Sequence, residues 1–185
     1  LEGLDEVTTV ALGTAPQAPV AVPMNGAIYL ADVVGGQKTG LFYDQRPNHA
    51  FAAALARDAR VLDVFSHVGG FGLAALAAQF EVVVCDPPAF APSKKALDAG
   101  LRAYEKVARL AAPLVAPGGY LVLCSCSHAV DLGAFRAACG RGIGRGLFET
   151  GRRAQLIHTG FAGPDHPQLP QLAESGYLKA LFFRL

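Results

Sequence analysis

A glycine-rich turn follows an aspartate in the stretch from Val61 to Leu73. The apolar run Val61 to Phe65 is typical of a buried strand, and the alanine-rich residues after the turn are typical of a helix. Glycines let a ligand approach the backbone, and the unpaired N–H groups at a helix start favour an anion. The stretch predicts either a site for an anion or polar small molecule beside Asp63, or a turn without a ligand. The glycines are Gly69, Gly70 and Gly72.

A second aspartate, Asp86, stands between a β-branched run and two prolines. Phe80 to Cys85 predicts a strand, and Pro87-Pro88 excludes a helix directly after it and holds an extended exit. Asp86 is then expected at the carboxyl edge of the sheet, where ligands bind in open α/β sheets. With the prolines and Phe90, it predicts a rigid slot for a flat ring; the alternative is that Asp86 only forms a turn.

Two thiols and an imidazole follow a third predicted strand, which begins at Tyr120. Its exit, Cys124-Ser-Cys126-Ser-His128, should lie near the same edge as Asp86. Cys85 and Cys139 fall within a strand and a helix, where core packing is the expectation. Because the four cysteines include no CxxC pair, we expect free thiols, no metal site and a reducing cytoplasm.

The elements that must position these side chains alternate between helix and strand, which predicts an α/β fold. A turn is expected over residues 116–119, and an arginine-glycine connector over residues 140–151. Apolar periodicity predicts helices over residues 47–60, 96–115 and 131–139, and final strands over residues 154–158 and 177–185.

The first part of the chain predicts a small β unit. Val20 to Met24 and Ala27 to Ala31 flank Asn25-Gly26, a dipeptide typical of a two-residue hairpin turn. We expect residues 1–34 to form this unit and a linker, residues 35–185 to form the main domain, and a further domain to precede residue 1. The loop from Gly35 to Arg46 either folds over a polar ligand or is an exposed connector.

Composition favours a well-buried globular chain. Hydrophobic residues make up 52% of its 185 residues and charged residues only 17%, and no apolar run approaches the length of a membrane span. The formal net charge of +1 provides no overall attraction for nucleic acid, so an RNA contact requires local clusters. The candidates, which are equally compatible with ordinary solvated surface, are Lys94-Lys95 and the group Arg141, Arg145, Arg152 and Arg153.

Five blocks in order resemble the S-adenosylmethionine-dependent methyltransferases of the large-subunit ribosomal RNA cytosine-5 type. The third block reads D-P-P-A-F-A-P-S-K and the fourth reads P-G-G-Y-L-V-L-C-S-C-S-H. The resemblance covers nearly the whole chain. The blocks span residues 25–46, 61–71, 86–94, 117–128 and 164–170, the last followed by Tyr177-Leu-Lys179.

The resemblance implies a Rossmann-like methyltransferase domain behind a small β unit, usually preceded by an RNA-binding PUA domain. It implies ribosomal RNA as the partner and allows a homodimer. Cys126 aligns with the family's nucleophile, Asp86 would orient the cytosine edge, and His128 is a weaker candidate for proton transfer. The residues implied for S-adenosylmethionine are Lys38, Asp63, Phe65, Ser66, Gly69, Gly70, Phe71, Gly72, Asp86 and Pro87.

One departure from the family pattern concerns the segment before Phe80. The family has two further strand-helix units there, which hold the ribose and adenine of the cofactor, so roughly 60 residues are expected to be missing. Loss of two adjacent edge strands predicts a five-stranded remnant that still folds. Two other functions therefore stay open: methylation of a base nitrogen, which needs no cysteine, and a degenerate fold that only binds RNA or a protein partner.

Overall fold

Two sheets and three helices make up the computed structural model, which describes residues 10, 12–24, 27–35, 43–56, 59–65, 80–164, 166–169 and 171–185. The smaller sheet pairs β1 (Val20–Met24) with β2 (Ala27–Ala31). The larger sheet contains β3 (Val61–Val64), β4 (Phe80–Cys85), β5 (Val115–Ser125), β6 (Gln155–Phe161) and β7 (Lys179–Arg184). The helices are α1 (Arg46–Leu55), α2 (Leu97–Ala111) and α3 (Leu132–Gly146).

The larger sheet has the order β3-β4-β5-β7-β6, with β3 at one edge. β3, β4 and β5 are parallel, whereas β7 runs antiparallel between β5 and β6. The predicted five-stranded α/β sheet is thereby confirmed. In the small sheet the predicted hairpin strands are also confirmed, with Met24 opposite Ala27; the Asn25-Gly26 turn lies outside the described residues.

Apolar side chains leave the two faces of the sheet alternately, which divides the core into two parts. Leu121 and Leu123 of β5 pack with Tyr104 and Phe135 on the side of α2 and α3. Val122 and Cys124 of β5 pack with Phe182 and residues of α1 on the other side. The carboxyl end of β5 therefore lies between α1 on one face of the sheet and α2 and α3 on the other.

The arginine-glycine segment is helical, which corrects the predicted connector over residues 140–151. α3 continues to Gly146, after a start at which Asp131 accepts a hydrogen bond from the Ala134 N–H at 2.7 Å. A Cβ atom at Gly142 would collide with the carbonyl oxygen of Glu105, and one at Gly146 with that of Arg109. Close packing against α2 therefore stabilises a glycine-rich helix that propensity alone disfavours.

Other element boundaries also differ from the predictions. α1 ends at Leu55 rather than at residue 60, and α2 ends at Ala111, followed by a 3-10 turn. β5 begins at Val115, so the segment predicted as a turn over residues 116–119 belongs to an irregular start of the strand. Gly118 adopts a φ of 78° there, and its N–H binds the carbonyl of Leu185. Pairing with neighbouring chain thus extends the strand beyond its regular apolar part.

Candidate active site at the carboxyl edge of the sheet

Asp63 and Asp86 lie at neighbouring positions near the carboxyl edge of the sheet. Asp63 stands opposite Val84 in the β3–β4 pair, and Asp86 immediately follows β4. The Asp86 N–H donates to the carbonyl of Val64 at 3.3 Å, which ties the two strand ends together. Both carboxylates line one cavity. The parallel register therefore brings together two side chains that are 23 positions apart in the sequence.

The cavity lies between α1 and the sheet and has a volume of about 410 Å³. Valine side chains of β3, β4 and β5 form its apolar wall, and α1 contributes Ala52 and Ala53. Partial loss of water lowers the pKa of His49, against the opposing effects of Asp63 and Asp44. A neutral imidazole near pH 7 is able to accept a proton. The polar residues that line the cavity are Gln45, Asn48, His49, Asp63, Asp86 and Cys124.

Two buried amides hold the Asp86 carboxylate. The Gln45 side-chain amide donates to Asp86 Oδ2 at 3.1 Å, and Asn48 donates to Gln45 Oε1 at 2.9 Å and to the carbonyl of Phe161 at 3.3 Å. Gln45 is 3% exposed and Asn48 is 5% exposed. Neither residue was predicted from the sequence, although their spacing of three puts both on one side of the first helical turn. This chain of hydrogen bonds fixes the orientation of Asp86.

Cys126 sits just beyond the end of β5, between two serines that are both fully buried. The Tyr104 hydroxyl of α2 contacts both serine hydroxyls, at 2.9 Å from Ser125 Oγ and 2.8 Å from Ser127 Oγ. Ser127 Oγ also accepts a hydrogen bond from the Ala91 N–H at 3.1 Å. Cys126 itself is only partly buried. The network holds the backbone on both sides of this thiol and links it to the segment after Asp86.

Cys124 has a different environment. It is 4% exposed and packs on the α1 side of the sheet. Burial raises the pKa of the Cys124 thiol well above its ordinary value, the Asp86 carboxylate adds to this, and a hydrogen bond with Gln45 opposes it. Cys85 and Cys139 are buried in the core as predicted, and burial raises the pKa of Cys85 to about 12. None of the four cysteines forms a disulfide. Of these, Cys126 is the most accessible to a substrate.

The segment before α1 contacts the chain that precedes β7. The Tyr177 hydroxyl donates to Asp44 Oδ2 at 2.5 Å, and the Gly163 N–H donates to the carbonyl of Asp44. Asp44 is 7% exposed, and burial together with Asp44 raises the pKa of Tyr177. These contacts tie Tyr177 to Asp44, which precedes the cavity residue Gln45.

Two aromatic rings flank the strand exits. Phe65 ends β3 with a φ of 73°, a conformation that is rare for a residue with a side chain, and is 46% exposed. Its ring lies 6.2 Å from that of Phe90, which in turn lies 5.0 Å from Tyr104. Pro87 is buried and Pro88 is exposed. Phe65 and Phe90 thus pack edge to face near the ends of β3 and β4, and the slot beside Asp86 stays a prediction.

Some predicted residues lie elsewhere or outside the described part of the chain. His128 is exposed. Arg141 and Arg145 pair with Glu105, and Arg152 donates to the carbonyls of Val115 and Ala116. Lys94 and Lys95 are exposed just before α2. The residues that fall outside the described part are Lys38, Ser66, Gly69, Gly70, Phe71 and Gly72.

Curated relatives match the chain along its whole length. The protein named ribosomal RNA large subunit methyltransferase I from Pseudoalteromonas atlantica is 30% identical over 100% of this chain and 58% of its own length. Its namesake from Aeromonas hydrophila is 31% identical over 99% of this chain and 58% of its own length. The chain therefore spans somewhat more than half the length of the relatives. No protein-family model matches it.

The alignment also contains positions of the relative that this chain does not match. It runs over 235 positions, whereas this chain has 185 residues, so 50 positions of the Pseudoalteromonas relative have no counterpart here. That number is close to the roughly 60 residues expected for two strand-helix units.

Solved structures show the same fold. A structure described as "a putative methyltransferase complexed with SAH" superposes with a TM-score of 0.73, at 17% identity, over 94% of this chain and 58% of that one. A "putative sam-dependent methyltransferase from Streptococcus mutans" gives the same TM-score at 16% identity. The chain has the fold of S-adenosylmethionine-dependent methyltransferases.

Within the described residues, no helix is both long and apolar enough to cross a membrane.

Proposed function

We propose that this relative of the ribosomal RNA large subunit methyltransferase I proteins transfers a methyl group from S-adenosylmethionine to carbon-5 of a cytosine in ribosomal RNA. The observation that carries the proposal is the setting of Cys126. Its thiol is partly exposed between two fully buried serines, and the Tyr104–Ser127–Ala91 hydrogen bonds tie it to the segment that follows Asp86. A positioned thiol whose backbone is tied to the segment after a fixed carboxylate suits addition to a flat polar ring.

The described residues fit one half of the cofactor. Asp63 and Asp86 offer carboxylates to the ammonium group of its methionine part, and Phe65 and Pro87 stand at the same strand exits. β3 is the edge strand among the described residues, and none of the strands described lies beyond it to support the ribose and adenine. When bound, S-adenosylmethionine supplies an electrophilic methyl group.

Each residue has a definite role in the proposed reaction. Carbon-5 of cytosine is a poor nucleophile until the Cys126 thiolate adds to carbon-6, which moves electron density to carbon-5. Asp86, held by Gln45, accepts a hydrogen bond from the polar edge of the ring. After methylation a base removes the carbon-5 proton and the Sγ–C6 bond breaks. His49 and the exposed His128 are the candidate bases.

RNA would approach over the exposed lysines at the start of α2. Lys94 and Lys95 follow the Asp86-to-Ala91 segment directly, whereas Arg141 and Arg145 already pair with Glu105. Positive charge beside the slot attracts the phosphate backbone without reading its sequence. A ribosomal RNA substrate would place the protein in the cytoplasm. The boundary between a small β unit and the main domain at residue 34 stays a prediction, as does the homodimer.

The proposed mechanism predicts a covalent complex with 5-fluorocytosine. Fluorine at carbon-5 does not leave as a proton does, so the adduct between Cys126 and carbon-6 persists after methyl transfer. RNA fragments carrying this base are incubated with the protein at saturating S-adenosylmethionine, and the complex is detected on a denaturing gel. Cys126→Ala should abolish both the complex and methylation, and Cys124→Ala should retain the complex.

The control and the alternatives give different patterns. Loss of the adduct in Cys124→Ala alone would assign the nucleophile to that thiol. Methylation that survives both substitutions would favour a base-nitrogen target. RNA binding without any methylation at saturating cofactor would favour the degenerate, binding-only function, which the 50 unmatched positions also support.

A further inference from the structure

Lys179 is a buried lysine at the start of β7. It is 4% exposed, although lysines are rarely buried unless they are paired. Its ammonium group donates to the carbonyl of Ser127 at 3.0 Å and to the carbonyl of Val130 at 2.7 Å. None of the ion pairs between described residues includes it. Two carbonyl groups satisfy hydrogen bonds but leave the positive charge without a paired carboxylate.

That charge lies next to the candidate nucleophile. In the antiparallel β5–β7 pair, Lys179 stands opposite Ser125, and its ammonium binds the carbonyl of Ser127. Cys126 is the residue between these two serines. The ammonium therefore anchors the chain immediately after Cys126, and the backbone before Cys126 is fixed by the strand pairing.

The ionisable groups near the end of β5 come from four other elements and from the exposed His128. Tyr104 of α2 contacts both adjacent serine hydroxyls, and Tyr177 precedes β7. Asp131 begins α3 and Asp86 follows β4. Because burial raises the pKa of both tyrosines, they are neutral near pH 7 and leave Lys179 as the buried cation of this group. Burial lowers the pKa of Lys179, whereas Asp131 and Cys126 raise it.

We propose that Lys179 is a positioning residue that holds the loop after Cys126 and stabilises the Cys126 thiolate with its positive charge. The inference rests on the proposed function only in treating Cys126 as the nucleophile. A cation fixed beside a thiol favours the charged form of sulfur. The charge of Asp131 raises the pKa of Lys179 and so helps to keep the lysine protonated.

The test is the pH dependence of Cys126 alkylation by iodoacetamide, followed by mass spectrometry of the peptide that contains it. Lys179→Met removes the charge, and Lys179→Gln removes the charge but retains a hydrogen-bond donor. Both should move the midpoint of the profile upward by about one pH unit, which is about a tenfold loss of alkylation rate at pH 7. Lys179→Arg retains the charge and should leave the midpoint near that of the unaltered protein.

The exposed Lys106 of α2 provides a matched control. Lys106→Met also removes one positive charge, but water screens that charge, so the midpoint of the Cys126 profile should not shift. An unchanged midpoint in folded Lys179→Gln, judged by circular dichroism, would overturn the inference and leave Lys179 with a structural role. If neither neutral variant folds, the unaltered protein decides, since a midpoint at or above the ordinary thiol value of about 8.5 is incompatible with a stabilised thiolate.

Failure of the proposed function would look different. Retention of methylation by Cys126→Ala would end the role of this thiol in catalysis, whatever the alkylation profile shows. The profile of Cys126 reports only on the charge beside the sulfur, and it needs neither RNA nor cofactor.

Discussion

At the scale of single residues, the site depends on buried amides as much as on its reactive groups. Gln45 has one side-chain oxygen and one amide nitrogen, and both are used: the nitrogen donates to Asp86 and the oxygen accepts from Asn48. A buried polar group that loses its partner destabilises a fold by about 1–3 kcal/mol. Gln45 therefore couples the stability of the fold to the orientation of Asp86.

Two substitutions of Gln45 should separate hydrogen bonding from charge. Gln45→Met should lower the free energy of unfolding by about 1–3 kcal/mol with little dependence on pH. Gln45→Glu should be less stable still at pH 7.5, because the introduced carboxylate faces Asp86. The pKa of the introduced carboxyl group is raised in the folded state, so the lost stability is regained as the pH falls through this raised pKa. Urea unfolding at pH 7.5 and pH 5 measures both, with the exposed Gln17→Glu as control.

If Gln45→Glu shows the same pH response as Gln17→Glu, the Gln45–Asp86 contact has no energetic importance.

Among the residues of the site, Asp63, Asp86 and the cysteines were found from sequence because reactive residue types follow recognisable strand ends. Gln45, Asn48 and Lys179 were not, because a buried amide or lysine in a sequence looks like one on a surface. Only the fold shows which of them is buried.

At the scale of elements, the contact between α2 and α3 depends on where glycines stand. Gly142 and Gly146 face backbone carbonyls of α2, and Gly144 faces open space. The connector predicted for this segment was wrong because glycine is counted against a helix by propensity, and the packing that compensates is invisible in the sequence. In contrast, β4 was predicted with its observed bounds, since a continuous β-branched run before a proline has few other interpretations.

Alanine substitutions along α3 should therefore have opposite effects. Gly142→Ala should destabilise the protein by about 1–3 kcal/mol, because the added methyl group overpacks the contact with Glu105. Gly144→Ala should stabilise it by about 0.5–1 kcal/mol, because alanine favours a helix and nothing lies in its way. Denaturant midpoints measure both. Equal effects of the two variants would contradict the close packing of α2 and α3.

At the scale of the whole molecule, the chain has a methyltransferase fold whose sheet is shortened within the described residues. The described part of the sheet ends at β3, and 50 positions of a relative are unmatched. The sequence predicted this shortening because the blocks on either side of it are intact. The remaining five strands keep both faces of the sheet covered, which explains how the core stays complete.

The shortened sheet should reduce cofactor affinity selectively. We expect this chain to bind S-adenosylmethionine at least about tenfold more weakly than the Pseudoalteromonas relative, which corresponds to about 1.4 kcal/mol or more of lost contacts. The loss should concern adenosine, so S-methylmethionine, a sulfonium without that group, should bind this chain almost as well. Titration calorimetry with both ligands measures this. Equal affinity of the two proteins for S-adenosylmethionine would show that the adenosine has other supports.

The position of β7 between β5 and β6 also has a consequence for folding kinetics. α2 and α3 meet across a short stretch of chain, whereas Tyr120 of β5 pairs with Arg184 of β7 across more than sixty residues. Contacts between distant parts of a chain form slowly, because a long loop must close first. Lys179 lies on this late strand, so the loop that carries Cys126 is completed only when β7 inserts. A refolding molecule should recover its helical signal well before its thiol acquires native reactivity.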